Sequence, residues 1–170
     1  MSLYTRWLNL IKERAEESWL TPHQSEVYAR LLEGFSSHPF VNVHGAPGAG
    51  KSFIARLLAK AQGYALALEL DQVPDGTTQI VLDDATYSRS LRPVYRAKSL
   101  GRVILMTEQP IREAMARMEL QLDESDVRQF RRNLSTCCGV DLIATQPAGT
   151  DLGEILRQEA IERGRCNVTE

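Results

Sequence analysis

A chain of 170 residues is long enough to form one domain around its own apolar core, and 43% of its residues are hydrophobic. The formal net charge of -2 and the pI near 6.0 exclude a protein that is basic over its whole surface, although a local basic patch remains compatible with them. Three cysteines, two of them adjacent, form neither a disulfide framework nor a zinc-ligand spacing. Since no long apolar run opens the chain, the sequence predicts a cytoplasmic protein without a signal peptide or a membrane span.

Two amphipathic helices are predicted ahead of the first strand. In the first helix, Leu3, Trp7 and Leu10 recur at helical spacing, and charged residues fill the opposite face. Thr21 and Pro22 then restart the chain as the N-cap and the first-turn residue of the second helix. The histidines and tryptophans show no ligand spacing or stacking pattern, so the sequence assigns them no chemistry.

Strands and helices alternate through the rest of the chain. Strands are predicted at 40–44, 64–70, 80–82, 102–106 and 140–144, and helices at 53–62, 93–100, 110–120, 126–134 and 152–163. Such alternation favours right-handed crossovers. The predicted fold class is therefore α/β, a three-layer sandwich with a mostly parallel five-stranded sheet that follows the two N-terminal helices.

A glycine-rich loop lies between the first strand and the helix that follows it. The segment Gly45-Ala46-Pro47-Gly48-Ala49-Gly50-Lys51-Ser52 fills every fixed position of the P-loop pattern. In such a loop successive backbone N–H groups point at phosphate oxygens, the lysine reaches the β- and γ-phosphates, and the serine hydroxyl binds Mg²⁺. The predicted nucleotide contacts are Gly45, Gly48, Ala49, Gly50, Lys51, Ser52 and Phe53, and the predicted cofactors are ATP and Mg²⁺.

An apolar strand at 80–82 ends in two carboxylates, as a Walker B strand does. At the carboxyl edge of a parallel sheet, Asp83 would lie beside the P-loop and hold Mg²⁺. The two motifs and the strand order they imply resemble the additional-strand P-loop ATPases, the group that contains the AAA+ and RecA-like proteins. The resemblance covers residues 38–146 and implies a single domain over 1–170, with N-terminal helices at 1–37 and a C-terminal helix at 147–170.

The resemblance also implies catalytic candidates, and the sequence departs from the family at one of them. In AAA+ proteins the residue after the Walker B aspartate is usually a glutamate that orients the attacking water. Here it is Asp84, whose side chain is one methylene shorter, so Asp84 is either a weak base or a residue of the magnesium shell. Glu108 and Glu69, at two other predicted strand ends, are alternative bases or plain surface residues.

Two further roles follow from the same resemblance. Thr107 takes the place of the sensor-1 residue that contacts the γ-phosphate or the water, or else it caps the next predicted helix. Arg131 and Arg132 occupy the region of the arginine finger that AAA+ proteins supply to a neighbouring subunit. Their alternative is a solvated helix face that pairs with Glu124 and Asp126.

One basic segment lies between the Walker B and sensor-1 strands. Its cations are Arg89, Arg92, Arg96, Lys98 and Arg102, with Tyr87 and Tyr95 interleaved. Cations for phosphates and aromatic rings for bases make nucleic acid a possible partner. The alternative is a surface for a protein partner, or a segment that serves solubility alone.

AAA+ proteins normally carry a helical lid after the fifth strand. With that strand predicted at 140–144, only residues 145–170 remain, so the lid is expected to be missing or supplied by another chain, and Arg157 is the residue to test as a second arginine sensor. The predicted function is a Mg·ATP-binding ATPase core that acts in an assembly, as a homo-oligomer or with a protein partner. The alternatives are an ATP-gated switch with little hydrolysis and a small-molecule kinase, since the loop also resembles that of adenylate-kinase-like enzymes. Gln24 faintly resembles the adenine-reading glutamine of helicases.

Overall fold

The computed structural model describes residues 2–33, 38–69, 72–83, 101–138 and 151–166. Two helices come first, α1 (Leu3–Glu13) and α2 (Pro22–Glu33), with a short 3₁₀ turn at Glu17–Trp19 between them. The Ser2 hydroxyl caps α1 by accepting the backbone N–H of Thr5. The two predicted N-terminal helices are confirmed. None of the described helices combines the length and the apolar character needed to cross a bilayer.

A parallel sheet forms the centre of the fold. Its strands are β1 (Phe40–His44), β2 (Ala65–Ala67), β3 (Gln79–Leu82), β4 (Arg102–Thr107) and β5 (Ala116–Glu119). They lie in the order β2-β3-β4-β1-β5, and all four neighbouring pairs are parallel. The predicted five-stranded parallel sheet of an α/β fold is therefore confirmed.

Three described helices follow strands of this sheet: α3 (Lys51–Gln62), α4 (Glu124–Cys138) and α5 (Leu152–Cys166). Helix α3 ends at Gly63, which adopts the left-handed conformation typical of a helix C-cap. The helices predicted at 53–62, 126–134 and 152–163 are confirmed. The helix predicted at 93–100 lies outside the described residues.

The helix predicted at 110–120 is wrong, because residues Ala116–Glu119 form the edge strand β5 beside β1. Buried Met118 and Leu120 alternate with exposed Arg117 and Glu119, a period of two that suits a strand with one covered face. Pairing with β1 thus overrides the helical propensity of alanine, methionine, arginine and glutamate. The predicted strand at 140–144 lies outside the described residues, and the five described strands of the sheet include β5.

The apolar core lies on both faces of the sheet. On one face, Val41, Val43 and Ile104 pack with residues of the five helices that the structure describes. On the other face, Phe40, Ile80 and Leu105 form a second cluster together with Ile111. Because β1, β3 and β4 are covered on both sides, they are nearly continuous apolar runs whose carboxyl ends meet at one edge of the sheet.

Candidate functional site

The P-loop joins the carboxyl end of β1 to the first residue of α3. Gly45 begins the loop, and its N–H donates to the Thr107 carbonyl oxygen at 3.2 Å, which ties the loop to the end of β4. Gly48 and Gly50 have φ angles of 75° and 91°, and such angles favour glycine. The loop therefore ends in a left-handed turn directly before α3, as a phosphate-binding loop requires.

The two glycines in positive φ also lie against side chains from distant parts of the chain. A Cβ at Gly48 would overlap the carboxylate of Asp151, and a Cβ at Gly50 would overlap the amide nitrogen of Gln24. The Leu152 N–H donates to the Gly48 carbonyl oxygen at 3.2 Å, so the start of α5 rests on the loop. The P-loop is thus held from one side by α2 and from the other by α5.

Lys51 is folded over the loop. Its Nζ donates to the carbonyl oxygens of Gly45 at 2.7 Å and Ala46 at 2.9 Å. These acceptors hold the ammonium group beside the backbone N–H groups that would surround a phosphate. A phosphate oxygen is a stronger acceptor for an ammonium group than a neutral carbonyl oxygen, so an anion in the loop would compete well for Lys51.

Ser52 and Asp83 meet although they come from α3 and the end of β3. The Ser52 hydroxyl donates to Asp83 Oδ1 at 2.9 Å, and Asp83 is 7% exposed. Hydroxyl and carboxylate oxygens are the hard ligands that Mg²⁺ prefers, with the rest of its octahedron filled by water and nucleotide oxygens. The donor set therefore fits Mg²⁺, and the predicted neighbourhood of Ser52, Asp83 and the P-loop is present.

A cleft of about 390 Å³ opens beside these groups. Its polar lining includes Lys51, Ser52, Asp83, Glu108 and Arg56. Its apolar lining is formed by Leu8, Ile11, Trp19, Phe53, Phe130, Leu152 and Leu156. A cleft that combines charged groups with apolar and aromatic side chains fits a ligand that joins a polyphosphate to a flat ring.

Thr107 lies at the end of β4 but faces the interior of the sheet. Its hydroxyl donates to the Gln109 carbonyl oxygen at 2.7 Å and accepts the Asn42 amide at 2.9 Å. Among the described residues that line the cleft, the position at this strand end is filled by Glu108 instead. The Thr107 hydroxyl is engaged in these two bonds and does not line the cleft, so the structure shows no contact that supports its predicted sensor role. Glu69 ends up exposed beyond β2 and does not line the cleft.

The arginines predicted as fingers lie on α4, in different surroundings. Arg131 is 3.6 Å from Glu159, a fully buried carboxylate of α5, so Arg131 helps to join the two C-terminal helices. Arg132 is exposed. Arg128 pairs with Glu124 at 3.5 Å, one turn away on the same helix. The strand that was predicted to follow this helix, at 140–144, lies outside the described residues, so that order stays a prediction.

Most of the predicted basic segment, namely Arg89, Arg92, Arg96 and Lys98, lies outside the described residues, as does Asp84. Arg102 is described, and it is partly buried at the start of β4. Its guanidinium donates to the Leu31 carbonyl oxygen and lies over the ring of Tyr64, with 5.8 Å between guanidinium carbon and ring centroid. The described contacts of the Arg102 head group are thus with α2 and Tyr64, and its contact with nucleic acid stays a prediction.

Arg157 lies on α5 outside the cleft. It pairs with Glu154 and stacks over Tyr4 of α1, at 5.6 Å from the ring centroid. Arg157 therefore joins the first and last helices of the described chain. Since it does not line the cleft, the structure shows no contact that supports its predicted role as a second sensor.

Gln24 supports the P-loop from α2. It is 3% exposed, its Nε2 donates to the Ala49 carbonyl oxygen at 2.8 Å, and its Oε1 accepts the Thr21 N–H at 3.1 Å. The sequence singled out Gln24 as a possible reader of adenine, but both ends of its amide are bonded to the backbone. Its role in the structure is to fix the loop.

Trp19 is the cleft residue that sequence reasoning missed. It lies in the 3₁₀ turn between α1 and α2, and its carbonyl oxygen accepts the Asn133 amide of α4 at 2.9 Å. A tryptophan just before a helix N-cap resembles an ordinary core residue, and only the docking of α4 shows that it faces a cleft. Leu8, Ile11 and Lys12 of α1 were missed for the same reason.

A histidine and two aspartates join α2 to α4 near this site. His23 Nδ1 is 2.7 Å from Asp126 Oδ2, and the His23 N–H donates to Asp126 Oδ1 at 3.0 Å. The hydrogen bond to Asp126 raises the pKa of His23 above 6.5, helped by the charges of Asp126, Asp123 and Glu26 and opposed by partial desolvation. Hydrogen bonds from Ser125 lower the pKa of Asp123. The contact of His23 with Asp126 is thus an electrostatic link between α2 and α4, two helices that contribute residues to the cleft.

Comparison with known proteins finds a similar fold among solved structures. No protein-family model matches the chain, and no curated protein matches it. Among solved structures it is similar to AMPPCP-bound DnaA from Aquifex aeolicus, with a TM-score of 0.55 at 14% sequence identity. The chain therefore shares the α/β fold of that structure, with a parallel sheet flanked by helices. The match covers 82% of this chain but 60% of the DnaA chain, so it spans less than two thirds of that protein.

Proposed function

We propose that this chain binds Mg·ATP in the cleft beside the P-loop and is the ATPase core of an AAA+-like assembly. The observation that carries the proposal is the hydrogen bond from the Ser52 hydroxyl to Asp83 at 2.9 Å, in the first turn of α3. In a P-loop NTPase these two side chains hold Mg²⁺, and the lysine before the serine binds the phosphates. Bound Mg²⁺ would neutralise charge on the β- and γ-phosphate oxygens.

The rest of the cleft supports a nucleotide over a simple phosphate. The P-loop can hold the phosphates, while Trp19, Phe53 and Phe130 in the lining of the same cleft offer apolar contacts for a base. The similar DnaA structure contains AMPPCP, an analogue of ATP, which agrees with this choice of ligand. We therefore expect a nucleoside triphosphate to bind more tightly than inorganic phosphate.

The assembly is proposed from the arrangement of α4. Exposed Arg132 lies on this helix, where a neighbouring subunit can reach it, whereas Arg131 is engaged with Glu159. An arginine supplied between subunits raises the rate of phosphoryl transfer about 10³-fold or more. Arg132 is thus the finger candidate that the geometry favours. Nucleic acid or a protein partner would meet the segment that contains Arg89, Arg92, Arg96 and Lys98.

A second candidate function is an ATP-gated switch that binds nucleotide with little hydrolysis. The observation in its favour is the aspartate at position 84, where a glutamate usually stands. In this case ATP would control assembly, and turnover would stay near the background of the buffer.

The experiment is a calorimetric titration with ATP, ADP and inorganic phosphate, in Mg²⁺ and in EDTA, followed by phosphate release with and without DNA. We expect Mg²⁺-dependent ATP binding in the wild type and loss of the Mg²⁺ effect in Asp83→Asn. Asp75→Asn, in an exposed turn, is the matched control. Binding without turnover under every condition favours the switch, and absence of nucleotide binding contradicts both candidates.

A further inference from the structure

Glu108 lines the cleft directly after the carboxyl end of β4. Among the described residues that line the cleft, the acidic side chains are those of Asp83 and Glu108. Asp83 is buried and accepts the Ser52 hydroxyl, so its carboxylate is committed to the candidate Mg²⁺ site. Glu108 is exposed to solvent. It is therefore the described carboxylate of the cleft that water can reach.

The register of the sheet sets Glu108 beside the start of the P-loop. His44 of β1 pairs with Thr107 of β4, so Gly45 and Glu108 are the residues that directly follow these two strands. The hydrogen bond from the Gly45 N–H to the Thr107 carbonyl oxygen at 3.2 Å keeps the two segments together. Glu108 thus lies beside the start of the phosphate-binding loop. It follows β4, the neighbour of β1, whereas Asp83 follows β3, one strand further away.

Thr107 explains why Glu108 faces the cleft. Its hydroxyl is held in the sheet by Asn42 and by the Gln109 carbonyl oxygen. Asn42 Oδ1 also accepts the Ile111 N–H at 2.8 Å, which fixes the chain on the far side of Glu108. Because the backbone is pinned before and after it, Glu108 is presented from a rigid strand end.

We propose that Glu108 is the carboxylate that accepts a proton from the attacking water during ATP hydrolysis. In this step the water oxygen bonds to the γ-phosphorus, and the bond from that phosphorus to the β,γ-bridging oxygen breaks. ADP leaves with the bridging oxygen, and the proton passes from Glu108 to the released phosphate. Positioned carboxylates of this kind contribute about 10²- to 10⁴-fold to a rate. The inference rests on the proposed function, because it needs ATP in the cleft.

The test compares Glu108→Gln, Glu108→Asp and Asp84→Asn with the wild type. Glu113→Gln is the matched control, since Glu113 is an exposed glutamate five residues after Glu108 that does not line the cleft. We expect Glu108→Gln to bind Mg·ATP within about threefold of the wild type and to release phosphate about 100-fold more slowly. Glu108→Asp should retain part of the rate, and Asp84→Asn should lose less than Glu108→Gln.

A second measurement separates this inference from the proposed function. ADP with aluminium fluoride mimics the transferring phosphoryl group, and its complex should form with the wild type and fail with Glu108→Gln. Wild-type turnover in Glu108→Gln overturns the inference. So does a wild type that binds ATP but neither turns it over nor forms the fluoroaluminate complex, although ATP binding as such would stand. Failure of the wild type to bind ATP overturns the proposed function itself.

Discussion

Asn42 shows how one buried residue decides which neighbour reaches the cleft. It is fully buried in β1, and its amide binds the Thr107 hydroxyl while its carbonyl oxygen accepts the Ile111 N–H. A polar side chain in a central strand must find such partners, since an unpaired buried amide is costly. The sequence shows that Thr107 and Glu108 are adjacent. It does not show that Thr107 binds Asn42 inside the sheet while Glu108 lines the cleft.

Gln24 allows a prediction at the same scale. Gln24→Leu leaves the Ala49 carbonyl oxygen and the Thr21 N–H without their bonds, so we expect the free energy of unfolding to fall by about 1–3 kcal/mol. The loop loses its support from α2, and the Kd for Mg·ATP should rise. Denaturant unfolding and calorimetric titration measure the two effects. Gln129→Leu removes a hydrogen bond within α4 and serves as the control. An unchanged Kd in a folded Gln24→Leu protein would contradict the supporting role.

At the scale of elements, the β-strands and helices around the P-loop could be predicted, because apolar runs and helical spacing are local signals. The edge strand β5 could not be predicted from propensity. Its residues favour a helix, and it becomes a strand because β1 offers an unpaired edge there. The alternation of Ala116, Met118 and Leu120 with charged residues was the signal available. Residues 140–144 lie outside the described part of the chain, so the strand predicted there and the expected lack of a lid stay predictions.

The contact between α2 and α4 predicts a pH effect. Because the folded state raises the pKa of His23, its protonated form stabilises the fold at pH values below the ordinary 6.5. That contribution is lost as the pH rises through the raised pKa. His23→Gln should therefore be less stable than the wild type at pH 5.5, and the difference should shrink by pH 8.5.

Chemical denaturation of both proteins at the two pH values measures this difference. His38→Gln is the control, because it removes another histidine outside the contact with Asp126. A His23→Gln deficit that grows with pH would show that the sign of the linkage is wrong.

The contact between α4 and α5 separates the two finger candidates. Arg131→Ala leaves the buried carboxylate of Glu159 with fewer partners, so we expect a loss of about 2–4 kcal/mol in the free energy of unfolding. Arg132→Ala changes an exposed side chain and should alter stability by less than about 0.5 kcal/mol. In the assembled protein, Arg132→Ala should instead lower phosphate release. Equal stability of the two variants would contradict the assignment of Arg131 to the helix contact.

At the scale of the whole molecule, the cleft is built from both ends of the described chain. The P-loop and Asp83 come from the centre of the sequence, and their meeting could be predicted because parallel strand ends share one edge. The apolar wall is different, since Leu8, Trp19, Phe130 and Leu156 come from four separate segments. No local pattern links these residues. Their convergence depends on how α1, α4 and α5 pack around the sheet, which is a property of the tertiary structure alone.

The most direct test of the central claim is a calorimetric titration of Lys51→Ala with Mg·ATP, beside Lys60→Ala as the control. Both lysines lie on α3, but Lys51 reaches the loop carbonyl oxygens, whereas Lys60 donates to the Glu13 carbonyl oxygen of α1. We predict that Lys51→Ala keeps its fold and loses ATP affinity about 100-fold or more, since it removes a charged partner of the phosphates. Lys60→Ala should bind as the wild type does. A folded Lys51→Ala protein with unchanged affinity for Mg·ATP would contradict the account.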